Sequence, residues 1–463
     1  MSALDKVLGD IDADLDNSLV RLFDWLRIPS VSTDPAHAGD CRRAAEWAKG
    51  NLEALGFEAS VRDTSFHPVV LGHLPKPGAP HVLFYGHYDV QPVDPLEQWE
   101  APPFEPSLVE IEPGRKVIRA RGACDDKGQV MTFLEACRAW KATEGGLPVG
   151  VTVLIEGAEE NGSKGLPEWL EANKGELKAD YALVCDTGNW DRETPLITTS
   201  LRGLVYREIK VLCADRDLHS GSFGGGARNP IHVLARIIAD LHDEDGRITI
   251  PGFYDGVPET PPDILAQWRE LNLSPETFLG PVGLGIPAGE RDRMLIEQIQ
   301  SRPTCDANGI FGGYTGVGSK TVIAAEASAK ISFRLVGDQD PDAIAAAFDA
   351  FVEARIPKDC SVEIIRYGTS RAIQLPFDMP ALAKARGALA EEWGRDAVMI
   401  GAGGSIPIVG DFKRTLGLDT VLIGFGLDDD RVHSPNEKYD LSSFHKGTRS
   451  WARILGALGG GRA

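Results

Sequence analysis

The stretch Val82-Leu83-Phe84-Tyr85-Gly86-His87-Tyr88-Asp89-Val90 decides the reading of this chain. Four apolar residues run without a polar break to a glycine, and a histidine and an aspartate follow. A strand covered on both faces reads as such an unbroken run, because neither set of alternating side chains meets water. Similar runs occur at Val151–Ile155, Tyr181–Val184 and Thr420–Ile423. Helical patterns lie between them. Gln129–Trp140 carries Val130, Phe133, Leu134 and Cys137 on one side, and Met379–Trp393 precedes the last run. This alternation predicts an α/β unit with a largely parallel central sheet and helices on both faces.

The middle of the chain reads differently. Leu204–Leu212 and Ala327–Leu335 alternate like half-exposed strands, with helical patterns at Pro230–Leu241 and Pro341–Ala354. These predict an inserted α+β domain over 203–373, dividing the α/β domain into 1–202 and 374–463. At the N-terminus, apolar residues from Leu4 to Leu26 recur at helical spacing and predict one surface helix packed on a core.

Composition narrows the class. The 463 residues are 43% hydrophobic and 25% charged, as in folded soluble chains, and 51 glycines without a triplet period exclude collagen. Forty-eight basic against 68 acidic residues give a net charge of −20, a field that repels nucleic acid and anionic membrane. No apolar run approaches the ~18–20 residues of a membrane span. The N-terminal stretch has acidic residues where a secretion signal needs basic ones. Seven scattered cysteines without a CxxC predict reduced thiols, and with them a cytoplasmic protein.

Each strand run leads within a few residues to a group that binds metal. The first leads to His87 and Asp89, the second to Glu159 and Glu160, the third to Asp186 and the last to His433. Asp125 sits where Val117–Ala120 gives way to a helix beginning near Gly128. Open α/β sheets bind ligands at the carboxyl ends of their strands, so these residues are expected to converge. Several carboxylates in one crevice repel each other unless a cation joins them. Two histidines and three or four carboxylates suit Zn²⁺, with Mn²⁺ or Co²⁺ as substitutes. Five ligands close two tetrahedral sites only if one is shared, so an aspartate bridging two ions leaves a position for reactive water. The residues alone therefore point to a dinuclear metallohydrolase.

GHYDVQPVDPLEQWEAPPFEP, RGACDDKGQ, EGAEENGS, CDTGN, DLHSGSFGG and HSPNEKY, in that order along nearly the whole chain, resemble the co-catalytic zinc peptidase family. That family includes carnosine-type dipeptidases, acetylornithine deacetylase, succinyl-diaminopimelate desuccinylase and aminoacylase. The DVQP segment, DLHSG and GGSIP are most similar to the dipeptidase branch. The resemblance implies a catalytic domain interrupted by a lid and dimerisation domain, with two Zn²⁺ per subunit. It gives His87, Asp125 and Asp186 to one ion and Asp125, Glu160 and His433 to the other, and it implies a cis Asp125–Asp126 peptide. Asp89, two residues after His87 on an extended chain, points the same way and is placed to accept the imidazole's other N–H. Glu159 is left as general base, taking a proton from the bridging water and passing it to the leaving amine.

The same resemblance implies three substrate contacts. His219 would reach the partner subunit's site in a homodimer and polarise the scissile carbonyl. Arg334, in ISFRLV, would bind the substrate carboxylate, and Gly404 and Ser405, in GAGGSIPIV, would offer N–H groups and a hydroxyl to that carboxylate. Two departures stand out: KTVIAAEA where the family usually has KTVIP, and Asn161 where serine is common. The implied reaction is hydrolysis of dipeptides with a free C-terminal carboxylate. N-acyl- or N-carbamoyl-amino acids are the alternative substrates, and an inactive binding protein on the same fold is the remote one. A nucleotide-binding reading of GYTGVGSKT fails because Ser319 separates glycine from lysine and a strand-like run follows. Ser220, Ser222 and Ser405 all lack the Gly-x-Ser-x-Gly setting of a serine hydrolase.

Overall fold

A computed structural model describes residues 2–402 and 406–460. It divides into two compact units. The first holds residues 2–199, Leu375–Ile400 and 406–460; the second holds Ser200–Gln374 with Gly401 and Ala402. The crossings expected at 202/203 and 373/374 thus fall at 199/200 and 374/375, and the return of Gly401 and Ala402 to the second unit has no signal in the sequence.

The first unit is built on a sheet in the order Glu58–Arg62, Val69–Leu74, Gly150–Glu156, His81–His87, Tyr181–Val184 and Thr420–Leu422, then the strand beginning at Leu196. The four strands from Gly150–Glu156 to Thr420–Leu422 are parallel. Val69–Leu74 and Leu196 onward join antiparallel at either side, so the sheet is mixed around a parallel centre. Both faces are covered, as the apolar runs require. Phe84 stacks on Phe133 of the helix Lys127–Glu144 and meets Trp451 of the helix Leu441–Leu458 edge-on, while its neighbour Tyr85 meets Phe412 on the opposite face. Each such aromatic withdrawn from water contributes roughly 1.5–3 kcal/mol.

Gly86 lets the strand end approach the following helix. A Cβ there would run into the Val130 side chain and the Asp126 carboxylate, and that carboxylate accepts the His87 backbone N–H at 3.1 Å. The N-terminal periodicity resolves into two helices, Ala3–Ala13 and Leu15–Leu26, rather than one. Asp14 lies between them with its side chain turned to Asn17 and Arg21. The stretch before Asp125 also differs from a central strand. Arg115–Arg119 pairs with Ser107–Glu112 and Lys438–Asp440 in a separate antiparallel sheet.

The second unit is a four-stranded antiparallel sheet, ordered Thr304–Gly312, Glu326–Leu335, Gly203–Leu212 and Ser361–Ser370. Its buried face carries Val205, Ile209, Val211, Ala329, Ile331 and Phe333 under the helices Pro230–Ala239 and Pro341–Glu353. Both helices begin at an Asx-Pro pair. Asn229 and Asp340 accept N–H groups of their first turns, and each proline stands where no N–H is needed. Residues 313–321 lead into the two-residue strand Val322–Ile323, not a helix, which removes the phosphate-loop reading. Among the described residues no helix is long and apolar enough to cross a membrane.

Candidate metal centre

The carboxyl ends of the parallel strands deliver His87 directly, Glu159 and Glu160 on a short 3-10 turn, and Asp186 two residues beyond Val184. Asp125 arrives from the loop before the helix Lys127–Glu144, through an Asp125–Asp126 peptide that is cis. His433 arrives from the loop before Lys438–Asp440, in a left-handed conformation with a φ of 63°. Two triads result, each with ligand atoms within 4.8 Å of one another: His87, Asp125 and Asp186, and Asp125, Glu160 and His433. Asp125 belongs to both. One of its oxygens lies 3.1 Å from His87 Nε2 and the other 2.9 Å from His433 Nε2. His87 Nε2 is 4.0 Å from Asp186 Oδ2, and His433 Nε2 is 3.3 Å from Glu160 Oε2.

Asp89 does more than the sequence reading assigned to it. Its carboxylate accepts the backbone N–H groups of Glu159 and Glu160 at 3.2 and 3.1 Å and the Ser32 hydroxyl at 2.6 Å. His87 Nδ1 donates to the Asp89 carbonyl oxygen at 3.0 Å, with the nearer carboxylate oxygen at 3.4 Å. The backbone oxygen is the better acceptor because the carboxylate is engaged by the Glu159-Glu160 turn. Asp89 thereby fixes the glutamate pair, and the histidine is oriented chiefly by main chain.

Two residues went unread. Glu437 is fully buried and accepts the N–H groups of Gly122, Cys124 and Asp125 at 3.0, 2.9 and 3.1 Å and the Arg121 guanidinium at 2.7 Å. It ties the loop bearing Asp125 to the segment bearing His433. Gln91 donates to Glu160 Oε2 at 2.6 Å. The one signal for Glu437 was its place in HSPNEKY, a motif read only for its histidine.

The electrostatics are those of a cation site. Burial pushes Glu159 up, pushes Glu160 up to about 7 and holds Asp186 well above the carboxylate range. Burial also opposes ionisation of Asp125, but hydrogen bonds from His433 and His87 outweigh it and hold that carboxyl well below its ordinary value. Asp125 and Glu160 in turn raise His433 to about 10. Glu160 keeps one oxygen buried without a hydrogen-bond partner. Among the described residues no lysine or arginine forms an ion pair with Asp89, Asp125, Glu159, Glu160 or Asp186. Two imidazoles and three carboxylates, one of them a shared aspartate with divergent oxygens, fit a pair of divalent ions, which would replace the protons now needed between nitrogen and oxygen.

His219 and Arg334 lie in the second unit. His219 is exposed at the end of Leu218–His219, where its Nδ1 accepts the Gly221 N–H at 3.0 Å. Arg334 stands half-buried on the central strand Glu326–Leu335, opposite Leu204 and Thr304. Gly404 and Ser405 lie outside the described residues.

Such a His/Asp/Glu constellation, buried at His87 and Asp125 and open to solvent at His433, at the ends of parallel strands is that of a metallopeptidase. The chain belongs to peptidase family M20/M25/M40, whose model matches residues 83–457. It is 31% identical over 477 residues to the Cys-Gly metallodipeptidase of Schizosaccharomyces pombe, covering 98% of each chain. Human carnosine dipeptidase 1 superposes with a TM-score of 0.76 at 29% identity, over 99% of each chain. An M20 family metallo-carboxypeptidase from Sulfolobus solfataricus superposes with a TM-score of 0.76 at 30% identity, over 96% of this chain and 99% of that one.

Proposed function

We propose that the protein is a dipeptidase that hydrolyses the amide bond of dipeptides with a free C-terminal carboxylate, using two divalent ions, Zn²⁺ foremost. The observation that carries this is Asp125, whose two oxygens face two separate imidazoles in two overlapping triads. Names of similar proteins, a Cys-Gly metallodipeptidase, a carnosine dipeptidase and a metallo-carboxypeptidase, support the substrate class. His87, Asp125 and Asp186 would hold one ion, and Asp125, Glu160 and His433 the other. Ions held there supply Lewis acidity to the scissile carbonyl and make water a nucleophile near neutral pH.

Glu159 is the general base. Its carboxylate makes no hydrogen bond or ion pair with the described residues, and its backbone N–H is held by Asp89. Burial raises its proton affinity towards working pH, so it takes the proton from attacking water and returns it to the leaving nitrogen. The second unit serves as lid and dimerisation domain. In a two-fold homodimer His219 acts on the partner's site. Because its Nδ1 already accepts the Gly221 N–H, the neutral ring carries its proton on Nε2, ready to donate to a developing oxyanion. Arg334, with Gly404 and Ser405, takes the substrate carboxylate. A cytoplasmic setting accords with seven unpaired cysteines.

The test is a substrate panel of dipeptides, N-acetyl-amino acids and N-carbamoyl-amino acids, assayed with Zn²⁺ and with Mn²⁺. Dipeptides should be the fastest class, and C-terminal amidation should abolish their turnover. Preference for acetyl- or carbamoyl-amino acids would transfer the assignment to an amidohydrolase of the same family.

A further inference from the structure

Two of the seven cysteines stand apart from the rest. Cys41, Cys124, Cys137, Cys185 and Cys305 are buried, whereas Cys213 and Cys360 are both partly exposed. They also face each other. Leu212 pairs with Ser361 across the antiparallel strands Gly203–Leu212 and Ser361–Ser370, so the next residues outward are Cys213 and Cys360. The Cys213 N–H points the other way, to Ala325 O at 3.0 Å, which makes the cysteines a pair without mutual backbone hydrogen bonds. Such partners have Cα atoms about 4.5 Å apart, within the ~4.4–6.8 Å that a disulfide spans. Their sulfurs are already 2.8 Å apart.

We propose that Cys213 and Cys360 are a redox modification site, a dithiol that closes reversibly to a disulfide at the end of the second unit's sheet without displacing its strands. The surroundings suit this. Cys213 packs on the edge of the hydrophobic core, which fixes one sulfur. Cys360 follows a turn in which its N–H donates to Pro357 O at 2.9 Å, and its neighbour Asp359 pairs with Arg228 at 2.6 Å. Cys213 is held against the core while Cys360 sits on an outer turn, so Cys360 is the sulfur a small disulfide reaches first; burial and the adjoining sulfur push the Cys213 thiol up. Cys213 begins, and Arg228 nearly ends, the segment that carries His219. A disulfide would therefore fasten the root of that segment.

The co-reactant is a low-molecular-weight disulfide. The Cys360 thiolate attacks one of its sulfurs and expels the first small thiol, leaving a mixed disulfide. Cys213 then gives up its proton to solvent, and its sulfur attacks Cys360 Sγ and expels the second. Two protein thiols lose two electrons in total, and one small disulfide becomes two small thiols.

Nothing in this depends on the metal centre, and the test does not read activity. The full-length protein is equilibrated with excess oxidised glutathione, alkylated in denaturant and mapped by mass spectrometry. Free thiols should fall from seven to five, with one linked peptide joining Cys213 to Cys360, and dithiothreitol should restore all seven. Thermal melts should show the oxidised form at least as stable as the reduced one, because the cross-link restrains a long loop of the unfolded chain. The conservative variant C360S should form no link and should melt alike under oxidising and reducing conditions. Seven thiols persisting, a stable glutathione adduct on either cysteine in place of the link, or a linked form that melts below the reduced one would each overturn the proposal.

Discussion

Asp429, Asp430 and Asp440 bring their oxygens as close together as the ligands around Asp125 do, yet the two clusters are neutralised in opposite ways. At the aspartate triad the protein supplies the cations itself. Lys438 Nζ lies 2.9, 2.6 and 3.2 Å from Asp429, Asp430 and Asp440, and Arg115 grips Asp440 through two nitrogens and Asp429 through one. Around Asp125 the only side-chain cations that approach, among the described residues, are imidazoles; Gln91 donates to one Glu160 oxygen, and the other is buried without a hydrogen-bond partner. Proximity of carboxylates is thus a poor guide to a metal site. What separates a site awaiting an ion from a structural knot is whether a fixed side-chain cation already fills the space.

Replacing the base should have the largest effect. Glu159→Gln removes the proton acceptor and leaves every ligand in place, so kcat should fall by ~10²–10⁴ while metal content stays at the wild-type level. Glu160→Ala should lower both. Metal lost from Glu159→Gln and kept in Glu160→Ala would mean that the two neighbours exchange roles. At the other cluster Lys438→Met should act on stability alone. Breaking a buried charge network costs roughly 3–5 kcal/mol, read as a lower melting temperature with metal content unchanged. An additional ion bound by that variant would show that the lysine had been occupying a metal site.

A smaller effect is a divergence with pH. Without ions, Glu160 has its pKa raised from 4.5 to about 7. The stability linked to its proton is therefore complete below the lower value and lost as pH rises through the higher. His433, raised from 6.5 to about 10, adds loss in the same direction at higher pH. Ion binding has the opposite slope, because each ligand must shed its proton first. Melts of chelated and ion-loaded protein across neutral pH should separate as pH rises, and parallel curves would contradict the ligand set.

Much of this was legible because burial on both faces leaves a strong mark. His81–His87, Gly150–Glu156 and Tyr181–Val184 show as apolar runs, and their C-terminal residues point to one crevice whatever the helices do. Thr304–Gly312 and Ser361–Ser370 were not legible. They are edge strands paired on one side only and largely exposed, so alternation is missing from the first and confined to Ser361–Ile364 in the second. Glu437 and the Asp89 carbonyl escaped for another reason. Their work is done through backbone N–H and C=O groups, which carry no residue-type signature.

The shared aspartate is the centre of the account, and counting ions tests it most directly. Wild-type protein loaded with Zn²⁺, freed of excess metal and measured by elemental analysis should hold two ions per chain. Asp125→Ala, confirmed as folded by circular dichroism, should hold none, since both triads lose their common ligand. A single ion in active wild-type protein, or an Asp125→Ala chain that still holds one or two, would contradict it.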